Sequence, residues 1–173
     1  MNKLGLYPHD GLYPETTAVN YNSKYPSWWN TTLTIYNQFI DPTTEVISWF
    51  RTVITNCFWK YSGERVLIND VEVNTSTVIC RIPESITYLS KYLWEQLPND
   101  QKSSKFTVGR DDIIVLGEVD DEIDEYSRGL GIKSTDLLSK YSRLQGCMKV
   151  NVVVENIGGG RNNPHYYVAG DRG

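Results

Sequence analysis

Histidine and cysteine are scarce in this chain, which limits the metal and thiol chemistry that its sequence can support. There are two histidines and three cysteines in 173 residues. His9 and His165 lie far apart, and neither belongs to an HExxH motif or to a Cys-plus-His motif of the kind that binds zinc. Cys57, Cys80 and Cys147 each lie in an apolar or aromatic context, which predicts reduced thiols in the core. We therefore expect no cofactor, no metal site and no enzymatic activity.

An excess of basic residues and long apolar runs are also missing. Lys and Arg total 17 against 21 acidic residues, a net charge of −4. Since binding to phosphates requires clustered basic residues, this composition argues against mainly electrostatic binding to nucleic acid. No apolar run approaches the roughly 18 residues of a membrane-spanning helix, and the N-terminal sequence MNKLGLYPHDGLYPE has no apolar segment typical of a signal peptide. We expect a protein made in a cytoplasm, without a membrane partner.

Helical periodicity is rare, and only residues 134–145 predict a helix clearly. Ser134 or Thr135 can cap its start and Gly146 can end it. Leu137, Tyr141 and Leu144 form one apolar stripe at spacings of four and three residues.

The region 84–105 is ambiguous by the same criterion. Ile86, Leu89 and Leu93 allow the apolar face of a short helix. Pro98-Asn99-Asp100 is expected to break any regular element there.

Aromatic and β-branched residues are abundant, with twelve Tyr and five Trp, and both classes favour strands. Turn residues at 41–44 and at Asn69-Asp70 predict two hairpins. The predicted strands cover 32–39, 46–54, 56–60, 65–68, 71–73, 77–82, 113–116, 148–154 and 165–168. The pattern predicts a mainly β fold, a small β-barrel with hairpin insertions and one short helix over residues 31–173, preceded by an extended N-terminal arm over residues 1–30.

The N-terminal arm, residues 1–30, is rich in Pro and Tyr and has no periodic apolar pattern. Gly5-Leu6-Tyr7-Pro8 recurs as Gly11-Leu12-Tyr13-Pro14, and a residue before Pro is biased to extended backbone. One interpretation is a flexible tail. The other is an arm that lies across a neighbouring subunit, because so many aromatic side chains are costly to leave in water. The candidate inter-subunit residues are Tyr7, Tyr13, Tyr25, Trp28 and Trp29.

An acidic segment follows the apolar run Ile113-Ile114-Val115-Leu116, which predicts a buried strand. Eight of the fifteen residues 111–125 are Asp or Glu. A calcium loop of the EF-hand type counted from Asp120 would require glycine at its sixth position, where Glu125 stands. Two interpretations remain open: a solvated loop, or a negative field directed at DNA or at a basic partner. The candidate channel- or partner-facing residues are Asp120, Asp121, Glu122, Asp124 and Glu125.

Residues from about 31 to 170 resemble small proteins encoded in the head–tail gene cluster of tailed phages and prophages of Firmicutes, described as minor capsid or head-closure (stopper) proteins. The resemblance depends on Asn56-Cys57-Phe58-Trp59, Ile79-Cys80-Arg81-Ile82-Pro83, Asp111-Asp112-Ile113-Ile114-Val115-Leu116-Gly117-Glu118-Val119, Lys140-Tyr141-Ser142-Arg143-Leu144-Gln145-Gly146-Cys147-Met148 and His165-Tyr166-Tyr167-Val168. None of these runs is a catalytic motif. The arm lies outside the resembling part.

The resemblance implies a head–tail connector of stopper or adaptor type in the virion neck. Its partners would be other copies of itself in a closed ring of about six or twelve subunits, the portal or adaptor, and tail-terminator or tail proteins. Double-stranded DNA would pass through transiently, and an acidic channel would not retain it as a basic one would. Two alternatives stay open: another virion component, such as a tail terminator or minor capsid protein, and a β-barrel module that binds peptide or oligosaccharide.

Overall fold

The computed structural model describes residues 25–68, 71–157 and 163–172, with the backbone alone described at 64–68 and 71–76. In chain order the elements are β1 (Thr31–Ile40), β2 (Ile47–Ile68), β3 (Val71–Pro83), α1 (Lys91–Glu95), α2 (Asn99–Lys102), β4 (Ile113–Leu116), α3 (Ser134–Leu144), β5 (Cys147–Asn156) and β6 (His165–Arg172). The described residues thus form the predicted mainly β fold. They contain three short helices, where the sequence predicted one.

The six strands close into an antiparallel barrel in the order β1-β2-β3-β6-β5-β4. Pairing of β4 with β1, with Leu33 opposite Leu116, closes the barrel. Each predicted strand run lies within one of these six strands, except that Val46 precedes β2, and several predicted runs merge: β2 unites three of them and β3 unites two. The small β-barrel predicted from the sequence is confirmed.

The barrel interior is filled by side chains from alternate positions of the strands, as a strand's period of two requires. The interior core consists of Leu33, Ile35, Cys57, Val78, Cys80, Ile82, Phe106, Val108, Ile114, Met148, Val150, Tyr166 and Val168. All three cysteines are buried and reduced, in agreement with the predicted core thiols. Burial raises the pKa of Cys57 to about 12 and that of Cys80 well above its ordinary value, so both thiols stay protonated.

A second core lies outside the barrel wall, between β4 and α3. Ile113 and Val115 point away from the interior and pack under Leu137 and Tyr141 of the helix. Strand β4 is therefore buried on both faces, which explains why its sequence is continuously apolar instead of alternating. The helix contacts this core through its first two turns, so Leu144, at 68% exposure, lies outside the stripe that the sequence predicted.

The start of α3 also differs from the prediction. Lys133 occupies the N-cap position, and no side chain there accepts a hydrogen bond from the first turn. Ser134 and Thr135, the two predicted caps, both follow Lys133 inside the helix. Gly146 follows the end of the helix with φ +113, as expected for a residue that ends a helix in left-handed backbone.

Helices α1 and α2 occupy the crossover between β3 and β4, which the sequence left ambiguous. The predicted apolar face was wrong, because Ile86 is 95% and Leu93 51% exposed, whereas Trp94 is fully buried. The Trp94 ring packs edge-on against Phe50 at 5.4 Å. A break separates α1, which ends at Glu95, from Pro98, as predicted, but Asn99 and Asp100 lie in α2. Pro98 occupies the N-cap position of α2, where its missing N–H costs no helical hydrogen bond.

Strands β2 and β3 extend beyond the barrel as a two-stranded ribbon. Strand β2 pairs with β1 as far as Cys57 and with β3 from Phe58 onward. Strand β3 pairs with β6 only from Thr77. Within the described residues, 63–68 and 71–76 therefore pair with each other alone, over about 20 Å. The predicted turn pair Asn69-Asp70 lies outside the described residues, between the paired Ile68 and Val71.

Candidate interaction surfaces

The acidic loop, residues 117–133, connects β4 to α3 and packs on the outer face of the β1–β2 hairpin. Tyr36 donates a hydrogen bond to the carbonyl oxygen of Asp121 at 2.6 Å. The indole N–H of Trp49 donates to the Glu125 carboxylate at 2.9 Å. The guanidinium of Arg51 donates to the carbonyl of Val119. The barrel wall thus holds the loop in place.

Most of the acidic charge predicted from the sequence is paired locally. Five of the eight acids at 111–125 form ion pairs: Asp111 with Lys149 at 2.9 Å, Asp112 with Lys91 at 3.0 Å, Asp120 with Arg51 at 3.1 Å, Asp121 with Lys140 at 2.6 Å and Asp124 with Arg128 at 3.4 Å. Arg51 and Lys91 lie in other parts of the sequence, so the acidic run alone does not indicate that they pair with it. The concentrated negative field suggested by the sequence is therefore largely neutralised.

Asp121 joins the loop to α3. Its carboxylate accepts a hydrogen bond from Lys140 at 2.6 Å and another from the Tyr141 hydroxyl at 2.7 Å. The bond from Lys140, followed by that from Tyr141, holds the pKa of Asp121 below its ordinary value. The charged form of this carboxylate is therefore stabilised by the fold.

Asp124 organises the loop from within. It is 2% exposed and accepts hydrogen bonds from the backbone N–H of Tyr126 at 3.2 Å and of Leu130 at 3.3 Å, and from Arg128 Nε at 3.4 Å. Burial raises its pKa, but the donors from Leu130, Tyr126 and Arg128 together hold that pKa below its ordinary value. The Asp124 carboxylate therefore stabilises the conformation of the acidic loop.

The five acidic candidates consequently fall into two groups. Asp121, Asp124 and Glu125 bind donors within the protein. Glu122 is exposed, and Asp120, although it pairs with Arg51, keeps a side chain that is 98% exposed. A channel- or partner-facing role for the loop stays a prediction, and these two exposed acids are the ones available for it.

The aromatic candidates near the start of the described chain pack on their own barrel. The Tyr25 hydroxyl donates to the carbonyl of Pro164 at 2.9 Å and accepts the N–H of Glu84 at 3.0 Å. Trp29 is buried, stacked on Tyr25 at 5.3 Å and edge-on to His165 at 5.5 Å. These contacts attach residues 25–29 to the barrel domain, although the sequence assigned them to the arm.

Trp28 joins Tyr25 and Trp29 in an aromatic group at the edge of the barrel, here called the aromatic margin. It remains 52% exposed, with its ring edge-on to Phe58 at 5.2 Å. Tyr7 and Tyr13, the other two predicted arm residues, lie outside the described residues. The inter-subunit role of the five aromatic candidates stays a prediction.

One outer face of the barrel is left uncovered by the two hydrophobic cores. Because Cys80, Ile82, Tyr166 and Val168 point inward, their strand neighbours point outward. The open face consists of Phe58, Lys60, Ile79, Arg81, Val152, Val154, Tyr167 and Ala169, none of which belongs to either core. In register, Phe58 lies opposite Arg81, Arg81 opposite Tyr167, and Tyr167 opposite Val154, so these four form a line across β2, β3, β6 and β5.

The chemistry of the open face is apolar with a cation near its centre. Val152 and Val154 are 49% and 45% exposed. The Arg81 guanidinium lies 5.2 Å from the centre of the Phe58 ring, and within the described part of the chain its buried Nε has no hydrogen-bond acceptor. A face of this composition suits a ligand that offers aromatic rings and carbonyl oxygens.

A groove of about 470 Å³ lies between β1 and α1, lined by Gln38, Phe39, Lys91, Tyr92 and Arg110 among others. The Lys91 amine in this groove is already paired with Asp112. Among the residues that the structure describes, no three His, Cys, Asp or Glu side chains are grouped to hold a metal ion. No helix in that same part of the chain is long and apolar enough to cross a membrane.

Comparison with known proteins identifies one match. A family model described as "Family of unknown function (DUF6751)" matches residues 28–171. The match runs from Trp28, on the aromatic margin, to Asp171 in the last strand, and so includes every strand of the barrel. No curated protein and no solved structure matches the chain.

Proposed function

The chain belongs to the DUF6751 family of unknown function, and we propose that it is a ring-forming structural subunit of a phage virion neck. It acts as a head–tail connector of stopper or adaptor type, made in the bacterial host cytoplasm and assembled between the portal or adaptor and the tail. Its ring lines or closes the passage through which double-stranded DNA moves. The proposal begins from the sequence resemblance and is supported by the surfaces of the barrel.

The observation on which the proposal chiefly rests is the β2–β3 ribbon. A two-stranded hairpin without further strands or a helix against it is only marginally stable in water. Its outer backbone N–H and C=O groups also form edges onto which another chain can pair. Residues 63–68 and 71–76 pair only with each other among the described residues, so the ribbon is suited to be covered by neighbouring subunits.

The open face supports assembly independently. It lies on the wall formed by β2, β3, β6 and β5, whereas the ribbon projects from the end of β2 and β3. An interface between two different patches is heterologous, and repeated heterologous contacts build a ring when the rotation closes. The chain therefore offers the two unlike surfaces that a ring subunit requires.

The acidic loop is consistent with DNA passing without being held. Five of the eight acids at 111–125, Asp120 among them, pair with Lys or Arg, and Asp120 and Glu122 are exposed. A surface of this kind offers no cluster of cations to phosphates, and so it does not retain the duplex by counterion release.

Two measurements test the proposal. Native mass spectrometry and negative-stain microscopy of the purified full chain are expected to show a closed ring. Cryo-electron microscopy of particles that contain the protein is expected to place that ring at the neck. A position in the tail tube or the baseplate, or a chain that stays monomeric at all concentrations, would contradict the proposal.

A second candidate function, a peptide-binding module, is favoured by the aromatic and arginine-bearing composition of the open face. Phe58, Arg81 and Tyr167 lie in one line across three strands. Such a module would bind an external peptide as an isolated monomer. Stoichiometry separates the two candidates, since a connector binds its own copies and a module does not.

A further inference from the structure

We propose that the open face is the docking site for the two N-terminal Tyr-Pro repeats, Gly5-Leu6-Tyr7-Pro8 and Gly11-Leu12-Tyr13-Pro14, of an adjacent copy of this chain. This inference rests on the proposed ring and names the contact that closes it. Each subunit would then give one segment and receive one.

The described part of the chain already contains one Tyr-Pro pair bound to the barrel. Tyr25-Pro26 is the third such pair in the sequence. The Tyr25 hydroxyl bridges the carbonyl of Pro164 and the N–H of Glu84, and its ring stacks on Trp29. This barrel therefore binds a Tyr-Pro pair by ring stacking and hydroxyl bonding at the margin of the open face.

The open face supplies similar partners for the two remaining pairs. Phe58 and Tyr167 offer rings, and Val152 and Val154 offer exposed apolar area. A residue before proline is biased to extended backbone. The Arg81 guanidinium, 5.2 Å from the centre of the Phe58 ring, is a cation on this face for a tyrosine ring.

The spacing of the two repeats along the chain is compatible with the width of the open face. Tyr7 and Tyr13 are six residues apart, which corresponds to about 19 Å of polyproline-type backbone. The line from β2 to β5 covers three strand spacings, about 14 Å. Both repeats can therefore contact the open face together when the segment crosses it at an angle.

Two arguments assign the segment to an adjacent copy. The margin of each open face is already occupied by that chain's own Tyr25, Trp28 and Trp29. A segment and a face are also unlike surfaces, so an exchange between neighbours is heterologous and repeats around the ring together with the contact made by the ribbon. Residues 1–24 are able to reach a neighbour, because 24 extended residues span up to about 80 Å.

The test uses the full chain with substitutions on either side of the contact. Tyr7→Ser/Tyr13→Ser on the segment and Val154→Lys on the face are each expected to convert the ring to monomers in light scattering and native mass spectrometry. The matched controls are Tyr21→Ser, a tyrosine of the same segment that no proline follows, and Ile86→Lys, an exposed apolar residue outside the open face. Both controls are expected to keep the ring.

A peptide experiment separates this inference from the proposed function. A synthetic peptide of residues 3–16 is expected to bind the Tyr7→Ser/Tyr13→Ser chain, whose own repeats are weakened. Adding Val154→Lys to that chain should weaken binding by about tenfold or more. Absence of peptide binding, or equal binding with and without Val154→Lys, would overturn the inference even if the wild-type chain forms a ring. If the wild-type chain is monomeric and the peptide still binds, both the adjacent-copy assignment and the proposed ring are overturned.

Discussion

Lys91 Nζ lies 3.0 Å from Oδ1 of Asp112, and the carboxylate of this ion pair is fully buried. The same carboxylate accepts hydrogen bonds from the Asn37 amide at 2.8 Å, the Gly109 N–H at 2.8 Å and the Gln38 N–H at 2.9 Å. One charge thus joins β1, α1 and the start of β4. Burial raises the pKa of Asp112, and Lys91 is the largest of the influences that oppose this rise.

Replacing Asp112 by Asn is expected to lower the free energy of unfolding by about 3–5 kcal/mol, because it leaves the Lys91 ammonium without its counter-ion. Urea denaturation followed by tryptophan fluorescence measures this loss. Asp111→Asn is the matched control, since its pair with Lys149 is about half-exposed and is expected to contribute less than about 1 kcal/mol. Equal effects of the two substitutions would contradict the role assigned to Asp112.

Asp121→Asn is expected to make the stability of the protein change less with pH in the acidic range. The folded-state pKa of Asp121 lies below its ordinary value of 3.8, so its contribution is complete above 3.8 and is lost as pH falls through that lower pKa. Thermal melting temperatures of wild type and variant between about pH 7 and about pH 3 measure the effect. The two curves should converge at the acidic end. A constant difference between the two curves across this range would contradict the role assigned to Asp121.

Gly146→Ala is expected to destabilise the end of α3. Gly146 has φ +113, and a Cβ atom there would lie 1.8 Å from the Tyr61 hydroxyl oxygen. Left-handed strain and the displacement of Tyr61 together should cost about 1–3 kcal/mol in thermal or chemical unfolding. Gly63→Ala serves as the control, because no described atom outside its chain neighbours lies within 4 Å of its added Cβ. An unchanged Gly146→Ala protein would show that Tyr61 and the turn adjust freely.

Removing the ribbon is expected to abolish the ring while the barrel keeps its fold. Residues 63–76 are replaced by Asn-Gly, which connects the paired residues Ser62 and Thr77 by a two-residue hairpin turn. Circular dichroism and the melting temperature should stay close to those of the wild type, and native mass spectrometry should show monomers. A ring that persists in this variant would remove the main support for the proposed function.

The local strand signals were sufficient to predict the barrel. Runs of β-branched and aromatic residues and the turns at 41–44 and 69–70 identify strands and hairpins because both depend on neighbouring residues. The buried strand Ile113–Leu116 was predicted for the same reason. Helices α1 and α2, five and four residues long, were missed, because elements this short contain too few turns to show a period.

The sequence by itself determined the fold class, the buried thiols and the presence of a dense acidic segment, since composition and local pattern establish these. Only the tertiary structure decided what that acidity does. Arg51 pairs with Asp120 across 69 positions of the chain, and Lys91 pairs with Asp112 across 21. Electrostatic and hydrogen-bond energies depend on distance in space, so these partners are not visible in the order of the residues. The same holds for the open face, where Phe58, Arg81, Tyr167 and Val154 become neighbours through strand register alone.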